Sequence, residues 1–436
     1  MIETPPKIND EDFINALAHI NDVDLPVKAT ISKINDNYEY WDKVKYRANG
    51  TGQSPERLWA LVKASRFASA IPAWNKYGIN ICITNQMQRQ CHEFDMLFGS
   101  FWEASESSNK EKIHYLSSSL MEEAIYSSKM EGASTTRIVA KEMLKKNLSP
   151  KDKSQQMIVN NYRTIQYISA HKNEPLTDES LRYIHQLMTE NTLANASDAG
   201  RYRTEADDVV VEDKITHEVV HTPPAANGLP QFVTDLCLFF NAEDSPTFIH
   251  PIIRGIIIHF MISFMHPFVD GNGRTARALF YWYMLKEKYW LTEYMSISRT
   301  IAESKHAYEK AFLYAENDGY DIGYFVAYNL RALKLSFEQL KKYIERKQQE
   351  KLSANTFIMV GGINDRQAQI ILIFKKNPEA VVTVKEMQDR FLITQMTARK
   401  DLTELVEKGY LTEIAINKVK RGYIKSESFD EKTKTR

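Results

Sequence analysis

The chain has 436 residues, and 43% of them are apolar and 26% charged. By length it holds about two to four domains, and the composition excludes a disordered, collagenous or disulfide-scaffold protein. Lys plus Arg and Asp plus Glu number 56 each; that balance excludes a whole-chain attraction to nucleic acid or acidic membrane but allows a local basic patch.

Cys82, Cys91 and Cys237 are the three cysteines. Their odd number, with no CxxC pair, argues against a disulfide framework or thiolate zinc site and fits a reducing compartment. The opening Met1–Asp10 has no apolar core behind a basic start, so no secretory signal is expected. The most apolar run, Gly255 to Phe264 and on to Met265, is too short to span a bilayer and is interrupted by His259. The expectation is a cytoplasmic protein without membrane contact.

In chain order, residues 1–110 read as a helical N-terminal region. Leu58, Leu61, Val62 and Phe67 recur at three- and four-residue spacing, and Ser54-Pro55 reads as an N-cap followed by proline at the first helical position. Residues 111–345 read as one larger helical unit. Its exception lies between Asp208 and Val220, where two β-branched runs flank Glu212-Asp213-Lys214 and predict a hairpin. Such a hairpin is either decorative or a flap. Residues 346–365 read as a connector, beginning as a charged helix and broken at Gly361-Gly362. Residues 366–436 form a last unit. Its pattern is helix, a short strand or turn at Val381–Thr383, helix Val384–Phe391, a tight turn from Leu392, helix Met396–Lys408, and a hairpin from Tyr410 to Ile424.

The densest chemistry lies in His266-Pro-Phe-Val-Asp270-Gly271-Asn272-Gly273-Arg274-Thr-Ala-Arg277. Apolar helix-like runs precede and follow it, so Gly-Asn-Gly falls at a helix start. Amides at a helix start lack internal partners, and glycines let an anion approach them. Arg274 and Arg277 are three apart on one helix face and offer planar forks for phosphate oxygens. Asp270 is a hard oxygen ligand suited to Mg²⁺ that also binds phosphates. His266 is available as a base near neutral pH. Together these point to transfer chemistry on a nucleotide phosphate. A GxGxxA match at Gly271–Ala276 lacks the βαβ context that a dinucleotide site needs, and no P-loop occurs. A zinc site from His250, His259 and His266, or a structural loop with capping residues, are the other readings.

At these residues the sequence resembles the Fic family, whose signature His-x-Phe-x-(Asp/Glu)-Gly-Asn-Gly-Arg-x-x-Arg is matched at every fixed position. The resemblance covers about residues 111–345, and the Tyr40-Trp41 segment is similar to the N-terminal region of many such proteins. It implies a mainly α protein with a Fic-type helical core, and transfer of AMP from ATP to a Tyr, Thr or Ser hydroxyl of a target protein. His266 would be the base and Asp270 would hold Mg²⁺. Gly271, Asn272 and Gly273 would bind the α- and β-phosphates, Arg274 the β-phosphate and Arg277 the γ-phosphate. The hairpin would be a flap that aligns the target by strand addition. Tyr308 is a guess for a nucleoside contact, with core packing as its alternative.

Upstream, Ser127-Ser-Lys-Met-Glu131-Gly132 resembles the family's inhibitory motif (Ser/Thr)-x-x-x-Glu-(Gly/Asn). The resemblance implies that Glu131 pairs with Arg277, that Ser127 anchors the helix, and that Gly132 ends it. A de-AMPylating activity is a further property of some relatives. The C-terminal pattern resembles the winged helix-turn-helix of bacterial regulators. Thr397, Arg399, Lys400 and Thr403 fall on its second helix and Lys418, Lys420 and Arg421 on its wing; from Arg366 onward there are fifteen basic and ten acidic residues. These residues suit DNA phosphates, while Asp401, Glu404 and Glu407 on the same helix favour protein contacts. The alternative to an AMP-transferase is thus a DNA-binding regulator with a nucleotide-sensing, weakly active or de-AMPylating Fic core. The family often pairs, so a homodimer is a further expectation.

Overall fold

The computed structural model describes residues 2–100, 109–212, 218–242, 247–391, 393–416 and 421–433. Asp213 and Lys214 of the expected hairpin turn, Leu392, and Lys418 and Lys420 of the expected wing lie outside them. The chain divides into two units, Met1–Glu338 and Gln339–Arg436.

The first unit is built around two antiparallel helices, Pro251–Met265 and Asn272–Lys286, joined by the motif loop. Both helices are apolar or buried on nearly every side, as expected of helices enclosed by others. Gly255 lets them approach: a Cβ there would lie 3.2 Å from the Phe280 and Tyr283 rings. Helices Asn109–Met130, Lys153–Ala170 and Asp178–Thr189 pack around this pair.

N-terminal helices belong to the same unit. Pro55–Ala68 begins as the sequence predicts, with Ser54 Oγ accepting from Arg57 N at 3.1 Å. From it, the buried Arg66 donates to Asn35 Oδ1, Glu39 O and Tyr324 Oη at 2.6–3.0 Å. Tyr38 Oη donates to Asp321 at 2.6 Å, and its ring lies so close to Gly323 that any side chain there would collide. These contacts fuse the N-terminal helices to the turn between helices Lys305–Asn317 and Gly323–Gly361.

Two short hairpins decorate this unit. Val211–Glu212 pairs antiparallel with Val219–His221, where the sequence predicts a hairpin. Ala70–Trp74 pairs with Ile79–Cys82 inside a region read as helical. The overlooked signal is the alternation of Ile79, Asn80 and Ile81, buried, exposed and buried, following Gly78 at φ +67°. Helix Gly323–Gly361 runs without a break through the charged stretch and stops at Gly362, φ +57°; the connector is helical for most of its length.

The second unit holds helices Asp365–Lys376, Val384–Phe391 and Gln395–Glu407, then strands Leu411–Ala415 and Arg421–Lys425 in antiparallel register. Val382 bridges to Tyr423 as a minimal third strand. Ile370, Ile371, Phe374, Leu402 and Leu405 fill its core.

Candidate active site

Helix Pro251–Met265 ends at His266, which adopts a left-handed conformation (φ +43°). Its Nδ1 lies 2.5 Å from Ser263 O. A carbonyl only accepts, so Nδ1 carries the proton and Nε2 presents the lone pair. Burial is the main influence on this ring, and it pushes the pKa down to about 4; the Ser263 carbonyl opposes that shift and His221 adds to it. His266 is therefore neutral, and able to accept a proton, across the physiological range.

The loop after it is locked from within. Asn272 Nδ2 donates to Phe268 O at 2.7 Å, and Asn272 Oδ1 accepts from Phe268 N at 3.0 Å. Its side chain is thus committed to the loop, and what it can turn toward an anion is its backbone. Gly271, at φ +85°, has no room for a Cβ, which would lie 2.8 Å from Thr189 Cγ2. Helix Asn272–Lys286 starts directly behind it. Asp270 is exposed and accepts from Gly271 N at 2.6 Å through Oδ1. No group of three His, Cys, Asp or Glu side chains able to hold a metal occurs among the described residues.

The two arginines differ. Arg274 is buried, with Nη1 donating to Met188 O at 2.9 Å and a buried Nε that has no hydrogen-bond partner. Arg277 is also buried. Its Nε donates to Ser127 Oγ at 2.9 Å, and its Nη2 donates to Ser127 O at 3.0 Å and to Glu131 Oε1 at 2.9 Å. Burial works against its charge, yet Glu131 and its neighbours hold the pKa above the ordinary arginine value. Glu131 is partly open to solvent, at 31%. Its carboxylate lies over Gly273, where any Cβ would strike it.

Helix Asn109–Met130 carries Glu123 and Ser127 one turn apart on one face, and Glu131 follows four residues on, in the turn that ends the helix. Its end is a Schellman turn: Ala133 N donates to Ser128 O at 3.1 Å and Gly132 N to Lys129 O at 3.0 Å, with Gly132 at φ +104°. The buried Glu123 accepts from Ser298 N at 2.9 Å and from Ser298 Oγ, which ties the helix to a second point.

His266, Asp270–Arg274, Arg277, Ser127, Glu131 and Gly132 are thus gathered in one region. Tyr308 is 8% exposed. Its Oη lies 2.9 Å from His259 Nε2, and its ring packs among Phe312, Phe325 and Tyr328. It presents no open face to a nucleoside; the packing alternative describes its environment.

Sequence reading missed three supports of the loop. His185 Nδ1 accepts from Gly200 N at 2.9 Å, its Nε2 donates to Asp270 O at 2.8 Å, and its ring stacks on Phe268 at 3.7 Å. Burial pushes its pKa down to about 4. Arg203 donates to His266 O at 2.7 Å, Met265 O at 3.1 Å and Pro224 O at 2.5 Å. His221 donates to Phe264 O at 2.7 Å. Each acts across long sequence separation, which no local pattern reveals.

The first unit is thus a helical core whose motif loop leads into a glycine-lined helix start, and the second a helix-turn-helix followed by a hairpin. Residues 175–284 match the Fic/DOC family model and residues 366–424 an HTH domain model, so the chain carries a Fic domain and a helix-turn-helix domain. A protein adenylyltransferase Fic from Nematostella vectensis is 34% identical over 108 residues, 25% of this chain and 22% of that protein. The protein of the same name from Drosophila melanogaster is 39% identical over 59 residues, 14% of this chain and 12% of that one. The matched segments thus span less than a quarter of these relatives. The structure of Fic-1 from C. elegans superposes with a TM-score of 0.50 at 16% identity, covering 72% of this chain and 82% of that one; at that identity it speaks to fold. No helix among the described residues is long and apolar enough to cross a membrane.

Proposed function

We propose that the chain is a self-inhibited protein adenylyltransferase, moving AMP from ATP to a hydroxyl of a target protein. The observation that carries this reading is the neutral, lone-pair-bearing His266 beside a glycine-lined helix start and two arginines, within a Fic domain. ATP would lay its phosphates on the amides of Asn272 and Gly273 at the helix start, where first-turn N–H groups and the helix dipole favour anions, with Gly271 leaving room for the approach. Arg274, with its unpartnered buried Nε, and Arg277 would neutralise the β- and γ-phosphates. His266 Nε2 would take the proton of the target Tyr, Thr or Ser hydroxyl as its oxygen bonds to the α-phosphorus. The bond to the bridging oxygen breaks and pyrophosphate leaves. Mg²⁺, with Asp270 as its protein ligand, would stabilise the phosphate charge. The flap strand Val219–His221 would align the target segment by backbone pairing.

Glu131 supports the self-inhibited form. Its carboxylate stands on the Gly273 helix start and takes one amine of Arg277, so it competes with a terminal phosphate for both. ATP can still bind, but its α-phosphate is not held in line. The test uses ATP labelled at the α-phosphate. Glu131→Gly should label protein, whereas wild type should label it at least about tenfold more slowly. Adding His266→Ala should abolish the label. No label in any form would sink the reading.

A second reading, DNA binding, is favoured by helix Gln395–Glu407 of the C-terminal unit. Asp401 is buried and bound by Arg366 at 2.6 Å, and Glu404 accepts from Gln367 at 2.5 Å. Asp401 faces inward and Glu404 is half-buried, 3.9 Å from Lys400, while Gln395, Arg399, Lys400, Thr403 and Glu407 face solvent. The exposed side is therefore less acidic than its sequence suggests.

A further inference from the structure

His221 lies at the end of the flap strand, and its two ring nitrogens meet two acceptors. Nε2 is 2.7 Å from Phe264 O, at the last turn of helix Pro251–Met265. Nδ1 is 2.8 Å from Glu316 Oε1, at the end of helix Lys305–Asn317. A carbonyl and a carboxylate can only accept, so both nitrogens must donate and the ring is an imidazolium. The helix C-terminus favours that cation. His221 and Glu316 are 10% and 18% exposed, so water competes weakly for the pair. The His221 ring centroid lies 6.0 Å from that of His266.

We propose that His221 and Glu316 are a positioning pair, which bolts the flap strand to the helix bearing His266 and sets a fixed positive charge beside that base. The inference rests on the transferase reading but assigns residues outside its phosphate and base machinery. The pair joins three elements at one point: flap, base-bearing helix and the helix ending at Asn317. Its charge disfavours a second proton on His266, so the base stays neutral to lower pH. Burial alone would drive His221 toward its neutral form; Glu316 and the Phe264 carbonyl outweigh burial, raising its pKa, while Arg203 opposes them. The charged and titratable groups facing His221 are thus Glu316, Arg203 and His266, and Glu131 also acts on His266.

The test has two readouts. Histidine-ring NMR titrations of the full chain need no activity. His221→Gln, which keeps an N–H for Phe264 but removes the charge, should shift the His266 midpoint upward. Glu316→Gln should shift the His221 midpoint downward. In a Glu131→Gly background, His221→Gln should move the acid limb of label transfer to higher pH and lower the rate by about tenfold or more. Absence of transfer in Glu131→Gly itself would count against the transferase reading, and the NMR shifts would still support the pair. An unchanged His266 midpoint in folded His221→Gln, or an unchanged His221 midpoint in Glu316→Gln, overturns it.

Discussion

At the scale of single residues, His185 and His259 are buried and His266 half-buried, each favouring its neutral form. Burial pushes His185 and His266 down to about 4 and His259 down to about 3. An unfolded histidine titrates near 6.5, so below that pH the unfolded chain binds protons that the folded one refuses. Their contribution to stability is complete above about pH 6.5 and is lost as pH falls toward their folded values. Thermal unfolding followed at pH 7, 6 and 5 should show a falling midpoint, and less so in His185→Gln. An equal fall in both would contradict the assignment for His185. Motif residues were legible in the sequence because their spacing is local: Gly271, Asn272, Gly273, Arg274 and Arg277 fall within one loop and the helix turn after it. Arg203, which braces the loop through Pro224 and His266, was not, because only the fold brings residue 203 to the end of a helix sixty residues later.

At the scale of elements, the C-terminal half of helix Asn109–Met130 is held at two points, at Glu123 by Ser298 and, just past its last residue, at Glu131 by Arg277. Gly132 fixes where it stops. Its φ of +104° suits no side chain, so Gly132→Ala should cost about 1–2 kcal/mol at that turn and loosen Glu131. Label transfer by Gly132→Ala should fall between wild type and Glu131→Gly; a rate equal to wild type would mean that the turn does not position Glu131. The end of this helix could be read from Met130-Glu-Gly, but its second anchor could not. A glutamate inside a helix looks like a solvated face until tertiary structure buries it against Ser298. The same limit explains the missed hairpin Ala70–Cys82. Its strands are short, and the pairing that decides for strand over helix is not a local property.

At the scale of the whole chain, a Fic domain and a helix-turn-helix domain share one polypeptide. The ion pair of Asp401 with Arg366 leaves Arg399 and Lys400 on the exposed side of helix Gln395–Glu407. If this side meets DNA phosphates, affinity for duplex DNA should fall steeply with salt, and Arg399→Ala with Lys400→Ala should flatten that slope by about two units. A slope unchanged by the double substitution would leave the unit to protein contacts. Nothing in either domain fixes the nucleotide's fate as sharply as the identity of the transferred group. The decisive measurement incubates the Glu131→Gly chain with ATP labelled either at the α- or at the γ-phosphate. The account predicts that only the α-label joins protein, with the γ-label released as pyrophosphate. Transfer of the γ-label, or of neither, would contradict it.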